Sequence, residues 1–265
     1  MNAPQSVSRR NMLKLSLTGA AGLLASRVAE AGEPSAQQTQ GPFHPQALRL
    51  DGTVVDRRIL PYLDQDSDLT FVQDEPGSAY GQVVYLQGQV LDEQDAPIEG
   101  AQVEIWQACV SGRYNHRNDP NDREWLDPNF QYWGKATTDA EGRFLFRTIV
   151  PGAYKASDTW IRPPHVHAKI ARRGFRELTT QLYFEDVEFY YGRRFWPAET
   201  LARLNAADGI LQGVPTRQQA GIVASARVPA ADEPFEQESR VCSYQLVLES
   251  AQANLDPRLG PLFAR

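Results

Sequence analysis

The sequence predicts an all-β protein, a β-sandwich with long irregular loops and one or two short helices. Three observations carry this expectation. Several short runs alternate apolar and polar residues with period two, as half-buried strands require. Turns rich in Gly and Pro separate those runs, drawn from 19 glycines and 18 prolines. The runs recur through a single stretch, residues 83–250, without an internal repeat or a second domain.

Residues 1–31 read as an export signal and not as part of the fold. Arg9-Arg10 precedes an apolar stretch from Leu15 to Ala25, and Ala29-Glu30-Ala31 offers a small-x-small cleavage site. The apolar part is too short to span a bilayer, and the paired arginines resemble a twin-arginine signal. The expected location is periplasmic or secreted, with no membrane contact in the mature form. Residues 32–82 look irregular, with Gly41-Pro42-Phe43 and an Asp64, Asp66, Asp68 run that lacks the Gly and Glu of a calcium loop.

The strands then follow. Val83 to Val90 opens the series, and a turn from Asp92 to Pro97 leads into Ala101 to Trp106. Further strands hold Phe144 to Phe146 and Tyr154, after turns at Asp139 to Gly142 and Pro151-Gly152. His165 to Ile170, Thr179 to Phe184, Ile222 to Val228 and Arg240 to Leu248 complete the set. A helix is expected at Ala198 to Ala206, entered through Pro197. Residues 251–265 form a C-terminal tail.

Composition excludes some functions. The net charge of −6 and the short basic clusters argue against a nucleic-acid partner. Two cysteines, Cys109 and Cys242, are too few for a disulfide scaffold, and free thiols are expected.

The chemistry gathers around few residues. Of four histidines, His165 and His167 stand at i and i+2. On a strand such residues share a face roughly 6.5–7 Å apart, so both imidazoles can meet one metal ion. The absence of a CxxC pair disfavours structural zinc, and no carboxylate sits in a tight ligand motif beside the histidines. Tyrosine is the remaining donor type. A phenol titrates near about 10, so only a strongly Lewis-acidic ion such as Fe(III) holds it as phenolate at neutral pH.

Several motifs occur together. Leu86-Gln87-Gly88-Gln89-Val90, Pro97 to Ala108 and Gly112-Arg113-Tyr114-Asn115-His116 come first. Leu126 to Phe130, Phe146 to Tyr154, Arg162-Pro163-Pro164-His165-Val166-His167 and Leu178 to Phe184 follow. In this order they resemble the intradiol ring-cleavage dioxygenases, from about Gly41 to Leu248. The resemblance implies Tyr114, Tyr154, His165 and His167 as ligands of non-haem Fe(III). It implies Arg162 beside the substrate, Gln181 as a hydrogen-bonding residue there, and Tyr154 as the ligand that yields to substrate. Trp106 and Trp160 become core or pocket wall, and His116 a loop residue or a support behind the ligands, not a ligand itself. The implied partners are a catechol-type aromatic and O2, with assembly as a homo-oligomer or with a paired related subunit. The implied reaction splits the catechol between its hydroxylated carbons to a cis,cis-muconate. The Lys155-Ala156-Ser157-Asp158 segment departs from the family pattern and leaves the catechol unspecified. The opposing expectation is a secreted β-sandwich binding module without chemistry, since the Gly and Pro-Gly-x-Tyr frame also occurs in such modules.

Overall fold

The computed structural model describes residues 32–45, 66–121 and 123–251. The export signal, Asp64 and nearly all of the C-terminal tail lie outside them.

Two sheets form the body. The smaller has the order β12-β1-β4, from β1 (Val83–Asp92), β4 (Arg143–Ile149) and β12 (Arg240–Leu248). The larger has the order β11-β8-β7-β2-β3. Its strands are β2 (Gln102–Trp106), β3 (Trp133–Thr137), β7 (His165–Ala171), β8 (Leu178–Glu185) and β11 (Val223–Ser225). Two ribbons flank them, β5 (Tyr154–Ser157) with β6 (Trp160–Arg162), and β9 (Phe189–Tyr191) with β10 (Arg194–Trp196). Three helices follow: α1 (Ala198–Ala207), α2 (Gly209–Gln212) and α3 (Thr216–Gln219). This is the expected all-β sandwich.

Strand periodicity builds the core. Leu86 and Val90 of β1, Phe144 and Phe146 of β4, and Val103 and Ile105 of β2 join one buried apolar cluster. Val166, Ala168 and Ile170 of β7 join it beside β2, from the sheet that faces β1 and β4. Each such Val, Leu, Ile or Phe side chain, fully buried, contributes about 1.5–3 kcal/mol. Because alternate residues point oppositely, the odd positions His165 and His167 are turned away from that cluster, on the other face of β7. The core therefore fixes the face on which the imidazoles stand.

Three departures from the expected strands have local causes. β3 was not foreseen, because Trp-Gly-Lys-Ala-Thr carries little apolar alternation and owes its form to pairing with β2. The β9–β10 ribbon joins strands of only three residues each. β11 stops at Ser225 and not Val228, because the chain there leaves β8 and bridges from Arg227 to Val241. Helix α1 matches its expected span to within one residue. Cys109 and Cys242 are both free and buried.

Candidate metal centre

His165 and His167 stand on a strand paired along both edges. His167 lies opposite Gln181 of β8 and opposite Trp106 of β2. The indole of Trp106 stacks on the His167 ring at 4.9 Å and 5°. The two imidazole centroids are 5.0 Å apart. His165 Nδ1 meets the Pro163 carbonyl at 2.7 Å. A carbonyl only accepts, so the proton sits on Nδ1 and the Nε2 lone pair is free. That Nε2 lies 3.4 Å from the Tyr114 hydroxyl.

The tyrosines arrive differently. Tyr114 sits in the loop after β2, where its N–H donates to Asp119 Oδ2 at 2.6 Å. Tyr154 opens β5, directly across from Arg162 of β6. Two glycines let these segments cross. A Cβ at Gly112, whose φ is +84°, meets the Ala153 carbonyl oxygen at 2.3 Å. A Cβ at Gly152 meets the Val110 carbonyl oxygen at 2.3 Å. Neither side chain fits, so the backbones touch and Gly152 N–H donates to Cys109 O at 3.0 Å. The crossing brings the tyrosine rings to 5.6 Å, with Tyr154 5.7 Å from His165.

Behind this group lies a charged lock. The Arg162 Nη2 donates to Gln181 Oε1 at 2.6 Å and to the Tyr183 hydroxyl at 3.3 Å. Its Nε donates to Asp208 Oδ2 at 2.6 Å. The Gln181 Nε2 donates to the Thr39 carbonyl at 3.0 Å. The segment 32–45 thus straps across the group. Gln38 Oε1 accepts from Gln181 N–H at 2.7 Å, and the Phe43 ring lies 4.7 Å from that of Tyr114. His44 Nε2 bonds Glu104 Oε1 at 2.8 Å and sets its ring edge-on to Trp106 at 4.6 Å. A cleft of about 320 Å³ opens outside Tyr154, walled also by Ser111, Ala153, Lys155 and Tyr191.

Electrostatics suits a cation. Burial, then Arg162 and His167, depress His165 well below its ordinary value. Burial and then Arg162 and His44 pull His167 down to about 3. Both imidazoles are therefore neutral donors. Burial lifts both phenols above their ordinary value, with Arg162 opposing in each case. The phenols stay protonated until a strong positive charge arrives. The buried His167 Nδ1 has no hydrogen-bond partner. Among the described residues no three His, Cys, Asp or Glu side chains gather. A metal here draws on tyrosine, and a set of two imidazoles and two phenols fits a hard trivalent ion such as Fe(III).

The structure brings together all six residues singled out by the sequence: Tyr114, Tyr154, Arg162, His165, His167 and Gln181. His116 is buried with its ring 5.8 Å from Phe43, and its Nδ1 accepts from Asn118 N–H at 3.2 Å. Trp106 is wall, as expected, and Trp160 lies under Arg162 at 5.2 Å. Sequence reasoning missed Asp208, Tyr183, Glu104 and the strap. Only Gly41-Pro42-Phe43 gave a signal, as an aromatic turn inside the resembling stretch.

Comparison with known proteins agrees. A family model described as dioxygenase matches residues 60–218. The chain is 40% identical over 154 residues to the protocatechuate 3,4-dioxygenase beta chain of Burkholderia cepacia, covering 57% of this chain and 58% of that one. It is 30% identical over 171 residues to a chlorocatechol 1,2-dioxygenase of Pseudomonas sp. strain P51, covering 59% and 58%. These matches span less than two thirds of the relatives' own length. Among solved structures, 3-chlorocatechol 1,2-dioxygenase of Rhodococcus opacus 1CP aligns with TM-score 0.52 at 25% identity, covering 84% of this chain and 75% of that one. The dioxygenase domain of a carbohydrate-binding fusion from Streptomyces sp. SirexAA-E shares the fold, with TM-score 0.52 at 22% identity, covering 83% and 100%. The chain belongs to the intradiol ring-cleavage dioxygenase family.

Proposed function

We propose that the protein uses non-haem Fe(III) and O2 to cleave a catechol between its two hydroxylated carbons, giving a cis,cis-muconate. The observation that supports this most is the meeting of two neutral imidazoles with two buried phenols beside a buried arginine. Tyr114, Tyr154, His165 and His167 would hold the iron. When bound, Fe(III) keeps the phenols as phenolates and draws electron density from a catecholate, so that O2 attacks ring carbon.

The chain's own groups do the rest. Tyr154 is the one of the four that lines the cleft, which supports it as the residue that would yield to a catechol and take one of its protons. Arg162 stays charged, since attraction to Tyr154, Tyr183 and Asp208 outweighs the burial that would lower it. That fixed charge stabilises negative charge growing on the ring. Gln181 holds Arg162 with its carbonyl and the strap with its amide. Phe43 and Trp106 exclude water from the centre.

The relatives' names share a substrate type, an aromatic ring with adjacent hydroxyls. Action outside the cytoplasm rests on the twin-arginine-type signal, and pairing with a related subunit rests on the beta-chain relative. The test is the visible spectrum of the purified protein before and after anaerobic catechol. A red-brown phenolate-to-iron band that shifts on addition is expected. A chain that stays colourless after Fe(III) reconstitution overturns the proposal in favour of the binding module.

A further inference from the structure

Asp208 is wholly buried, and it lies at the corner between α1 and α2, outside every motif that carries the family resemblance. Its two carboxylate oxygens have separate tasks. Oδ1 accepts from Ile210 N–H at 3.1 Å and from Leu211 N–H at 2.9 Å, which starts α2. Oδ2 accepts from Arg162 Nε at 2.6 Å. The corner itself is pinned to the large sheet, because Asn205 Nδ2 donates to the Phe184 carbonyl of β8 at 2.9 Å. β8 also carries Gln181 and Tyr183, which hold Arg162 Nη2.

These contacts close a ring from Arg162 through β8 and the helical corner back to Arg162. A guanidinium is planar, so bonds at Nε and Nη2 fix its plane and its rotation. Among the described residues the guanidinium's hydrogen bonds are all made by Nε and Nη2, so Nη1 is the nitrogen left to meet a ligand. The carboxylate also balances a charge that is only 5% exposed at the side chain. Capping α2 needs one oxygen only, and an uncharged Asn or Ser would serve there. The charged second oxygen is explained by the arginine.

We infer that Asp208 is a positioning residue for the ring-cleavage step, holding Arg162 so that Nη1 faces the bound aromatic. This rests on the function proposed above. A partner that orients a catalytic group in this way typically sets activity by about 10–100-fold.

The test uses the full iron-loaded chain as wild type, Asp208→Asn, Arg162→Gln and the double variant. Iron content, melting temperature, anaerobic catechol affinity from the band shift, and O2 uptake are measured for each. Asp208→Asn is expected to keep iron, to bind catechol within a few-fold of wild type, and to lose about 10–100-fold in kcat. The double variant is expected to turn over no more slowly than Arg162→Gln alone, because Asp208 acts through that arginine. Wild-type kcat in Asp208→Asn overturns the inference, and so does a loss that adds in full to that of Arg162→Gln. If Asp208→Asn alone fails to fold, the double variant, which removes both buried charges, decides on the same comparison. If wild type itself binds no iron, it is the function proposed above that falls.

Discussion

His165 and His167 stand on β7, which is hydrogen-bonded along both edges to β2 and β8. Tyr114 and Tyr154 stand on a loop and on a four-residue ribbon strand, held by a crossing at Gly112 and Gly152. One half of the centre is thus built by a sheet and the other by irregular backbone. The sheet half owes its geometry to the period of the strand and the burial of Val166 and Ala168 behind it. The loop half owes its geometry to contacts between distant backbones. In this arrangement both imidazoles lie on the paired sheet, and the residue that lines the cleft, Tyr154, comes from the irregular half.

The largest expected effect is at His167. On the proposed ligand set, His167→Ala takes away one donor without disturbing the ladder, so the variant is expected to fold and to lose iron and turnover, by at least ~10³-fold. Iron analysis with far-ultraviolet circular dichroism checks this. Unfolding of the variant would break the distinction between ligand and scaffold on the sheet side.

Gly152→Ala probes the loop half. The new methyl meets a carbonyl oxygen at 2.3 Å, and backbone has little room to yield. Overpacking of this kind costs about 1–3 kcal/mol. Both tyrosines shift together, so the phenolate band weakens while the sheet amides keep their protection. A variant with an unchanged band would show that the crossing does not set the tyrosine positions.

Arg162→Gln comes next. It keeps all four metal donors and should retain colour, yet lose ~10²–10³ in kcat, the usual effect of removing one charge-stabilising donor. It also leaves Asp208 buried without its cation, which costs about 3–5 kcal/mol and lowers the melting temperature. Steady-state O2 uptake and calorimetry measure the two effects separately.

The smallest effect concerns the strap. Burial raises the Glu104 carboxyl, but hydrogen bonds from His44 and Trp133 outweigh it and hold it below its ordinary 4.5. A depressed carboxyl stabilises the fold fully above its unfolded value. That contribution fades as pH falls below about 4.5 and through the lower folded value. Both partners are partly exposed, so the contact is worth no more than ~1 kcal/mol. Protection of the amides at residues 38–44 against hydrogen exchange, taken relative to the intrinsic rate at each pH, should fall in acid for wild type, and in Glu104→Gln already at neutral pH. Equal protection in both would place the strap's anchorage at Gln38 and Thr39 instead.

The sheet half was readable in advance and the loop half only in part. Alternation at Val83 to Val90, His165 to Ile170 and Arg240 to Leu248 gives strands, because burial on one face demands period two. His165 and His167 follow from that period. Tyr114 and Tyr154 emerged only through family resemblance, because irregular backbone has no period to count. Gln38 and Asp208 left no trace, and Glu104 showed only as one residue of the Ala101 to Trp106 strand. Gln38 reaches Gln181 across 143 positions and Arg162 reaches Asp208 across 46, and pairing at such range leaves no local pattern.

The sequence by itself determined the all-β class, the positions of most strands and helix α1, and a pair of imidazoles on one strand face. Local sterics and the burial of alternate side chains act over a few residues, and those are written consecutively in the chain. Only the tertiary structure decided that the tyrosines converge on the histidines, that Asp208 locks Arg162, and that residues 32–45 close over the centre. These depend on which surfaces meet once the two sheets pack, a choice made by the whole core at once.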